Sequence, residues 1–214
     1  GSRWFVYGSL GSFLYNGALM QAVFPLFYAG NSEYFSALKQ HKSVIIDLGE
    51  RFEKQTFRNR CIISTANDVQ QLVIPVVREG TPLVKEVKIS YAEKWQQSHW
   101  RALTSAYKNS PYFEFYEDYF RPFYENEIET LVEFNKGIFE LLLQKMDLDV
   151  EVSYTENYVE NLEIDLRNQF SKKDYQNHQN KKHYQVFDDR FGFQNNLSVL
   201  DLLFNLGPES KLYL

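Results

Sequence analysis

A strand–helix–strand pattern near the start of the chain constrains the fold more than any other feature. An apolar run at residues 20–27 is followed by a helical segment that begins at Asn31 or Ser32 and extends to Gln40, and then by a β-branched run at residues 43–48. Two apolar strands separated by a helix of about ten residues are typical of a βαβ unit, whose strands pair in parallel. The pattern therefore predicts an α/β protein with a parallel sheet.

The rest of the chain changes from strands to helices. Strands are predicted at residues 60–64 and 70–77 around a turn at Asn67-Asp68, and again at residues 150–154. Capping-box sequences at 90–93 and 126–129 predict two helix starts, and an aromatic helix at 112–119 is expected to end at Arg121-Pro122. A last helix is predicted at 198–205, with Ser198 as its cap and Gly207-Pro208 as its end. We therefore predict an α/β fold with an N-terminal βαβ-containing sheet followed by a predominantly helical C-terminal half.

The chain length and the position of Met20 predict the domain organisation. A chain of 214 residues can bury one sizeable core, so we expect residues 20–210 to form a single α/β domain, sheet-rich over 20–89 and helix-rich over 90–210. Met20 opens the first apolar strand pattern and is interpreted as the natural start. Residues 1–19 are then an N-terminal extension.

Charge and cysteine content exclude several classes of protein. The net charge is −5, but residues 125–165 carry twelve carboxylates and two lysines, so the remainder of the chain is basic. The acidic segment would repel a nucleic-acid backbone, and we expect a small-molecule or sugar substrate instead of nucleic acid. Cys61 is the single cysteine, which excludes an intramolecular disulfide framework and a cysteine-rich zinc module. No metal site is indicated, and the cofactor and the oligomeric state are left open.

A run of 29 uncharged residues, 4–32, is long enough to span a membrane. Glycine, serine, asparagine and proline residues interrupt it throughout, which favours neither a membrane span nor a signal peptide. We therefore expect a soluble, cytoplasmic protein with no stable membrane insertion.

The first candidate site follows the second predicted strand. Asp47 ends that strand, and open α/β sheets bind their ligands at such carboxyl ends. Arg58 and Arg60 flank Asn59, and alternation along a strand would place both guanidinium groups on one face, as a fork for a carboxylate or phosphate. The alternative is an ion-pair cluster of these arginines with Asp47 and Glu50.

Two further segments hold candidate residues. His99 lies on a mostly apolar helix face, where it is either a general base beside a carboxylate or a hydrogen-bonded core histidine. Asp201 is either a site carboxylate or a residue that only completes a helix N-terminus. His178 and His183 are interpreted as part of a solvated loop, and Cys61 as a buried apolar residue in preference to a reactive thiol.

These segments, in this order, resemble the WbqC-like family of bacterial proteins. The matching residues are Met20-Gln21, Phe24-Pro25, Tyr34-Phe35, Asp47, Thr56 with Arg58-Asn59-Arg60, Trp95 with His99-Trp100, Tyr107, Pro111-Tyr112-Phe113, the run from Asn196 to Asn205, and Gly207-Pro208. The resemblance implies a link to surface-polysaccharide (O-antigen) biosynthesis, and a glycine-transferring role has been suggested for one branch of the family.

Two classes of function stay open. The first is an enzyme that transfers an acyl or aminoacyl (glycyl) group to a sugar: Arg58 and Arg60 hold an anionic donor, Asn59 and Tyr112 orient the acceptor, and His99 removes a proton with Asp47 or Asp201 as its orienting carboxylate. The second is a non-catalytic sugar-nucleotide-binding or assembly protein that uses an aromatic cleft. An enzyme should bring His99, Arg58 and a carboxylate into one pocket.

Overall fold

A computed structural model describes residues 14–15, 18–19, 21–77, 80–160, 163–173 and 175–214. The predicted natural start, Met20, lies outside the described residues. The strands are β1 (Leu14–Tyr15), β2 (Ala18–Leu19), β3 (Ala22–Phe24), β4 (Ser43–Asp47), β5 (Arg60–Thr65), β6 (Asp68–Val73), β7 (Glu151–Thr155) and β8 (Ile164–Asp165). The α-helices are α1 (Ser32–Lys39), α2 (Trp95–Tyr107), α3 (Phe113–Glu125), α4 (Leu131–Lys145), α5 (Asp188–Phe191) and α6 (Val199–Leu206).

A four-stranded parallel sheet confirms the predicted βαβ unit. The strand order is β7-β4-β3-β8, and β3 pairs with β4 through Ala22 opposite Val44 and Phe24 opposite Ile46. All three residues of β3 are fully buried, as expected for a central parallel strand covered on both faces. Helix α1 connects the two strands and is capped by Asn31, whose side chain accepts a hydrogen bond from the Tyr34 backbone N–H at 3.1 Å.

The two outer strands of this sheet come from the C-terminal half of the chain. Strand β7 pairs in parallel with all five residues of β4, and β8 pairs in parallel with β3. The predicted α/β class with a largely helical second half is therefore confirmed. The helical half also contains two strands, β7 and β8, that belong to the same sheet as β3 and β4. As a result, residues far apart in sequence meet at one edge of this sheet.

The predicted hairpin forms a separate two-stranded sheet. Strands β5 and β6 pair antiparallel, with the turn at Ala66-Asn67, one residue before the predicted position. The prediction of a strand continuing to residue 77 is wrong, because β6 ends at Val73. Pro75 lacks the N–H that a continuous strand ladder requires.

Three predicted helix boundaries are also wrong. Helix α2 begins at Trp95 instead of at residues 90–93, because the preceding backbone pairs with other segments: Ile89 N donates to Glu129 O and Ser90 N to Pro75 O. Helix α4 begins after Thr130, which forms the capping box with Glu133.

Helix α3 continues through Pro122 and ends at Glu125. A proline within a helix removes one backbone hydrogen bond, and burial of the flanking Phe120 and Tyr124 side chains offsets that loss.

The last helix is the most buried element of the helical half. Seven of the eight residues of α6 are buried, Ser198 caps its start as predicted, and Gly207 ends it with φ of 57°, a left-handed conformation that favours glycine. The rings of Tyr107, Phe113 and Phe120 pack around Phe204. Much of the aromatic content therefore fills the core. No helix among the described residues combines the length and the apolar character needed to cross a membrane.

Candidate functional site

Charged side chains gather where strands β4 and β8 of the parallel sheet end. Asp47 is the last residue of β4 and Asp165 the last of β8. Because all strands of this sheet run in the same direction, their carboxyl ends lie at one edge, which is the usual ligand site of open α/β sheets.

Arg167 joins the two aspartates. Its Nη1 donates to Asp47 Oδ2 at 2.5 Å, while Nε and Nη2 donate to the two carboxylate oxygens of Asp165 at 2.9 and 2.5 Å. Asp47 is fully buried, and its second oxygen accepts from the Gly49 N–H at 2.7 Å. The hydrogen bonds to Arg167 hold the pKa of the Asp165 carboxyl below its usual range. Arg167 therefore bridges the ends of two strands that are not neighbours in the sheet.

A second buried pair lies beside the first. Arg58 donates from Nε and Nη2 to the two oxygens of Glu50 at 2.8 and 2.7 Å, and from Nη2 to the Arg167 carbonyl oxygen at 3.2 Å. Both side chains of the pair are more than nine-tenths buried. Burial raises the pKa of Glu50, and the hydrogen bonds from Arg58 oppose that rise. A pair of this kind needs both partners, since either charge alone would be buried without compensation.

Two adjoining cavities open over this network and form what we call the two-lobed cleft. The Tyr158 lobe, of about 450 Å³, is lined by Gly49, Glu50, Arg51, Glu53, Leu83, Tyr158, Arg167 and Asn168. The lysine lobe, of about 440 Å³, is lined by Glu53, Lys54, Gln55, Thr56, Arg58, Arg167, Asn168, Phe170, Ser171, Lys172 and Lys173. The lobes share Glu53, Arg167 and Asn168. Their chemistry differs, because carboxylates and guanidinium groups balance in the first while cations predominate in the second.

Tyr158 forms an aromatic wall of the cleft. Its side chain is 53% exposed, and the Arg167 guanidinium lies 4.1 Å from the centroid of its ring. The backbone at Tyr158 is held close to Gly49: a Cβ on residue 49 would lie 2.3 Å from the Tyr158 nitrogen. Only glycine allows this approach of the two loops. The wall therefore depends on a glycine that lies two residues beyond the end of β4.

The predicted fork of Arg58 and Arg60 is wrong. Arg58 lies in a 3-10 turn (Phe57–Asn59), so strand alternation does not apply to it, and Arg60 and Asn59 line a different cavity. The alternative prediction, that these arginines form ion pairs with nearby carboxylates, is correct for Arg58, which pairs with Glu50. Asp47 pairs with neither predicted arginine, because Arg167 occupies that position.

Arg167 was missed as a site residue. It follows β8, a strand of two residues that is too short to be recognised from hydrophobic periodicity. The acid–base alternation of Asp165 and Arg167 was the available signal. Tyr158, Asn168, Lys172 and Lys173 were likewise not singled out as site residues.

His99 lies in the core and not in the cleft. Its Nδ1 is 3.1 Å from the Tyr28 hydroxyl, and its ring stacks on Tyr28 and meets Trp95 edge-on. Burial lowers the pKa of His99 to about 4. The expectation that Asp47 or Asp201 orients His99 is wrong, because the hydrogen bonds of both carboxylates go to other groups. These contacts are those of a hydrogen-bonded core histidine, and a catalytic role for His99 stays a prediction.

Asp201 forms a separate buried cluster with His183. Asp201 Oδ2 is 2.8 Å from His183 Nε2 and accepts from Gln185 Nε2 at 2.9 Å. The His183 side chain is only 3% exposed, so its interpretation as a solvated-loop residue is wrong. The pair attaches the segment before α5 to the start of α6.

Two other candidate residues, Tyr112 and Cys61, pack against other parts of the protein and do not line the cleft. Tyr112 precedes α3, its ring lies against Gly207, and it lines neither lobe of the cleft. Cys61 is buried, and burial raises the pKa of its thiol, as expected for a buried cysteine that does not act as a nucleophile. Within the described part of the chain, no three His, Cys, Asp or Glu side chains cluster so as to hold a metal ion.

The chain is similar to a known protein family over the region that forms the cleft. The model of the WbqC-like protein family matches residues 28–185, which include every residue that lines the two-lobed cleft. The chain is 26% identical over 212 residues to the uncharacterized protein Rv1507c of Mycobacterium tuberculosis (strain ATCC 25618 / H37Rv), a match that covers 85% of this chain and 91% of that protein. No solved structure matches the chain significantly. The family match, which spans most of the sequence, shows that this chain belongs to the WbqC-like protein family.

Proposed function

We propose that this protein binds a sugar nucleotide in the two-lobed cleft and acts in the biosynthesis of a bacterial surface polysaccharide. The observation that carries the proposal is the arrangement of the two lobes: a cationic lobe adjoins a lobe with polar groups and an exposed aromatic wall, and the two share Glu53, Arg167 and Asn168. The link to polysaccharide rests on the family resemblance.

The lysine lobe has the chemistry of a diphosphate site. Lys54, Lys172 and Lys173 line it, and none of them forms an ion pair with a carboxylate among the described residues. The Nη1 group of Arg58 also has no hydrogen-bond acceptor in the described part of the chain. Ammonium and guanidinium donors of this kind bind phosphate oxygens.

The Tyr158 lobe has the chemistry of a sugar site. Its exposed aromatic ring offers an apolar face to one side of a sugar ring. The carboxylate of Glu53, the guanidinium of Arg51 and the amide of Asn168 line the same lobe and can exchange hydrogen bonds with sugar hydroxyls. A sugar nucleotide contains both a diphosphate, which suits the lysine lobe, and a sugar, which suits the Tyr158 lobe.

Binding is tested by calorimetry with a set of matched probes. We expect a uridine diphosphate sugar to bind more tightly than uridine diphosphate, and the free sugar to bind weakly. The double variant Lys172→Ala/Lys173→Ala should lose at least tenfold in affinity, which is about 1.4 kcal/mol. The control is Lys94→Ala/Lys108→Ala, two exposed lysines outside the cleft, which should bind as the wild type does. Equal losses in both double variants, or no binding of any nucleotide, would refute the proposal.

Acyl or aminoacyl transfer to the bound sugar is the second candidate function, and Glu50 favours it. Glu50 lines the Tyr158 lobe, and burial raises its pKa, which suits a general base that takes the proton from an attacking sugar amine or hydroxyl. The attacking atom then forms the new bond to the acyl carbon as the bond from that carbon to the donor breaks. Because both Glu50 oxygens already accept from Arg58, binding without chemistry fits the geometry better.

Mass spectrometry of the sugar product separates the two candidates. Wild-type protein would be incubated with an aminoacyl or acyl donor and a nucleotide-activated amino sugar. Glu50→Gln keeps the size of the side chain and removes its base function, so an enzyme should lose at least a hundredfold in turnover. Absence of any mass increase with the wild type, together with nucleotide binding, favours the binding protein.

A further inference from the structure

Helix α3 carries a second row of apolar residues on its solvent side. Its buried face is formed by three aromatic residues, Phe113, Phe120 and Tyr124. Phe115, Tyr119 and Pro122 follow one another at spacings of four and three residues, which places them on one separate face of the helix. All three are exposed, Phe115 by 71% and Tyr119 by 51%. We call this row the α3 stripe.

Neighbouring side chains make the stripe continuous. The ring of Tyr112 lies 6.0 Å from that of Phe115, measured between centroids, and the Lys145 ammonium of α4 lies 3.3 Å from the Tyr119 centroid. Exposed rings bury little surface within the chain, so they add little to the stability of the fold. A single exposed apolar residue is ordinary, but a contiguous exposed row marks an interaction surface.

A row of carboxylates runs beside the stripe. Glu114, Asp118 and Glu125 are spaced by four and seven residues, so they share a face of α3 next to the aromatic one. All three are exposed, and the Asp118 side chain is 83% exposed. The helix holds four carboxylates but only one arginine, Arg121, which pairs with Glu117 at 3.0 Å. The solvent face of α3 is therefore half aromatic and half acidic.

The acidic row selects among the possible occupants. A bacterial membrane surface and a nucleic acid are both anionic, and the carboxylates would repel them. A second copy that bound through the same face would place like charges opposite each other, which is unfavourable. A helix with apolar residues beside lysine or arginine matches both rows. The stripe from Phe115 to Pro122 is about 10 Å long at ~1.5 Å per residue, the length of two turns of such a helix.

We propose that the solvent face of α3 binds a basic amphipathic helix of a partner protein. Apolar side chains of the partner pack on Phe115 and Tyr119, and its basic side chains pair with Glu114 and Asp118. No residue of α3 lines either lobe of the two-lobed cleft. The surface is therefore separate from the cleft and does not depend on the function proposed for it.

Two designed peptides test the chemistry of the partner on the wild-type protein. Both have about 18 residues, or about five helical turns, and the same leucine stripe, but one flanks it with lysine and the other with glutamate. Fluorescence anisotropy should show at least tenfold tighter binding of the lysine peptide, and that binding should weaken as salt is added. Equal affinities for the two peptides, or no binding of the lysine peptide, would overturn the proposal.

Matched variants test the location. Phe115→Ser/Tyr119→Ser should lose at least tenfold in affinity for the lysine peptide. The control Tyr184→Ser/Phe191→Ser changes two exposed aromatic residues outside α3 and should bind as the wild type does. Equal losses in the two double variants, with circular dichroism showing both folded, would show that the peptide binds elsewhere.

Reversal of charge provides an independent test. Glu114→Lys/Asp118→Lys should bind the glutamate peptide more tightly than the lysine peptide, and an unchanged preference would contradict the proposed pairing. Sedimentation velocity and co-sedimentation with phosphatidylglycerol vesicles test the other occupants. A dimer, or vesicle binding, that Phe115→Ser/Tyr119→Ser abolishes would assign the stripe to a second copy or to lipid and overturn the proposal.

Discussion

Removing Arg58 should expose the dependence of the folded state on the Glu50–Arg58 pair. The substitution Arg58→Met deletes three hydrogen bonds, two to Glu50 at 2.8 and 2.7 Å and one to the Arg167 carbonyl at 3.2 Å. It leaves the Glu50 side chain, which is only 7% exposed, without a counter-charge. Breaking a buried pair in this way costs about 3–5 kcal/mol, so we expect the free energy of unfolding to fall by about that amount at pH 8.

The loss should depend on pH in a direction set by Glu50. Burial raises the pKa of Glu50 in the folded chain, and Arg58 is the main group that lowers it, so the variant has a still higher pKa. A carboxyl with a raised pKa binds its proton more tightly in the folded state, and stability is lost as pH rises from about 4.3, the unfolded value, through the folded pKa. Each difference of one between folded and unfolded pKa corresponds to about 1.4 kcal/mol. Arg58→Met should therefore be closer to wild type at pH 5 than at pH 8.

Urea unfolding followed by tryptophan fluorescence measures both effects, since Trp95 is buried. The control Lys211→Met breaks an exposed ion pair with Asp147 and should change stability little at either pH. The double variant Glu50→Leu/Arg58→Met should recover much of the loss, because apolar replacement of both partners leaves no unpaired charge. A loss below about 1 kcal/mol, or an equal loss at pH 5 and pH 8, would show that Glu50 in the folded protein is not a charged group that depends on Arg58.

Contacts of Gly49, His183 and His99 give three more measurable effects. Gly49→Ala should destabilise the protein by about 1–3 kcal/mol and weaken nucleotide binding, because its Cβ would lie 2.3 Å from the Tyr158 nitrogen; thermal unfolding and calorimetry check this, and a variant with wild-type values would contradict it. His183→Ala should cost about 1–3 kcal/mol, because Asp201 loses a partner at 2.8 Å, yet nucleotide affinity should stay unchanged, and an affinity loss would link that pair to the cleft. His99, whose pKa burial lowers to about 4, should show no NMR titration between pH 5 and 8; because that pKa is below the unfolded value of about 6.5, its contribution to stability is lost as pH falls from 6.5 towards 4, and a titration near pH 6.5 would disprove its burial.

The elements that were predicted correctly depend on local patterns. The βαβ unit follows from apolar runs and the Asn31 cap, and the final helix from Ser198 and Gly207, all within a few residues of the element concerned. The helix starts that were wrong had equally good local capping signals. Those two predictions failed because the backbone N–H groups of Ile89 and Ser90 donate to the carbonyl oxygens of Glu129 and Pro75. A local sequence pattern does not reveal such distant partners.

The candidate site was predictable only in part, and for a similar reason. Asp47 and Arg58 were identified, because a residue at the end of a parallel strand and a basic cluster near it are local features. The partner of Asp47 was not predictable, because the Asp47–Arg167 contact joins residues 120 apart in sequence. Glu50, only eight residues from Arg58, was already one of the alternatives for that arginine. His183 was likewise interpreted without Asp201, although the two side chains form one buried pair.

The parallel βαβ start, the α/β class and membership of the WbqC-like family follow from the amino-acid sequence alone, because they depend on hydrophobic periodicity and on the order of motifs along the chain. The charge pairs at the edge of the sheet depend instead on contacts between distant parts of the chain. Strands β7 and β8 return from the helical half to flank β4 and β3, and this brings Tyr158 and Arg167 to the edge where Asp47 ends. A buried charge loses its solvation and is stable only beside a partner, so the position of β8 in the sheet provides Arg167 as the partner of the buried Asp47.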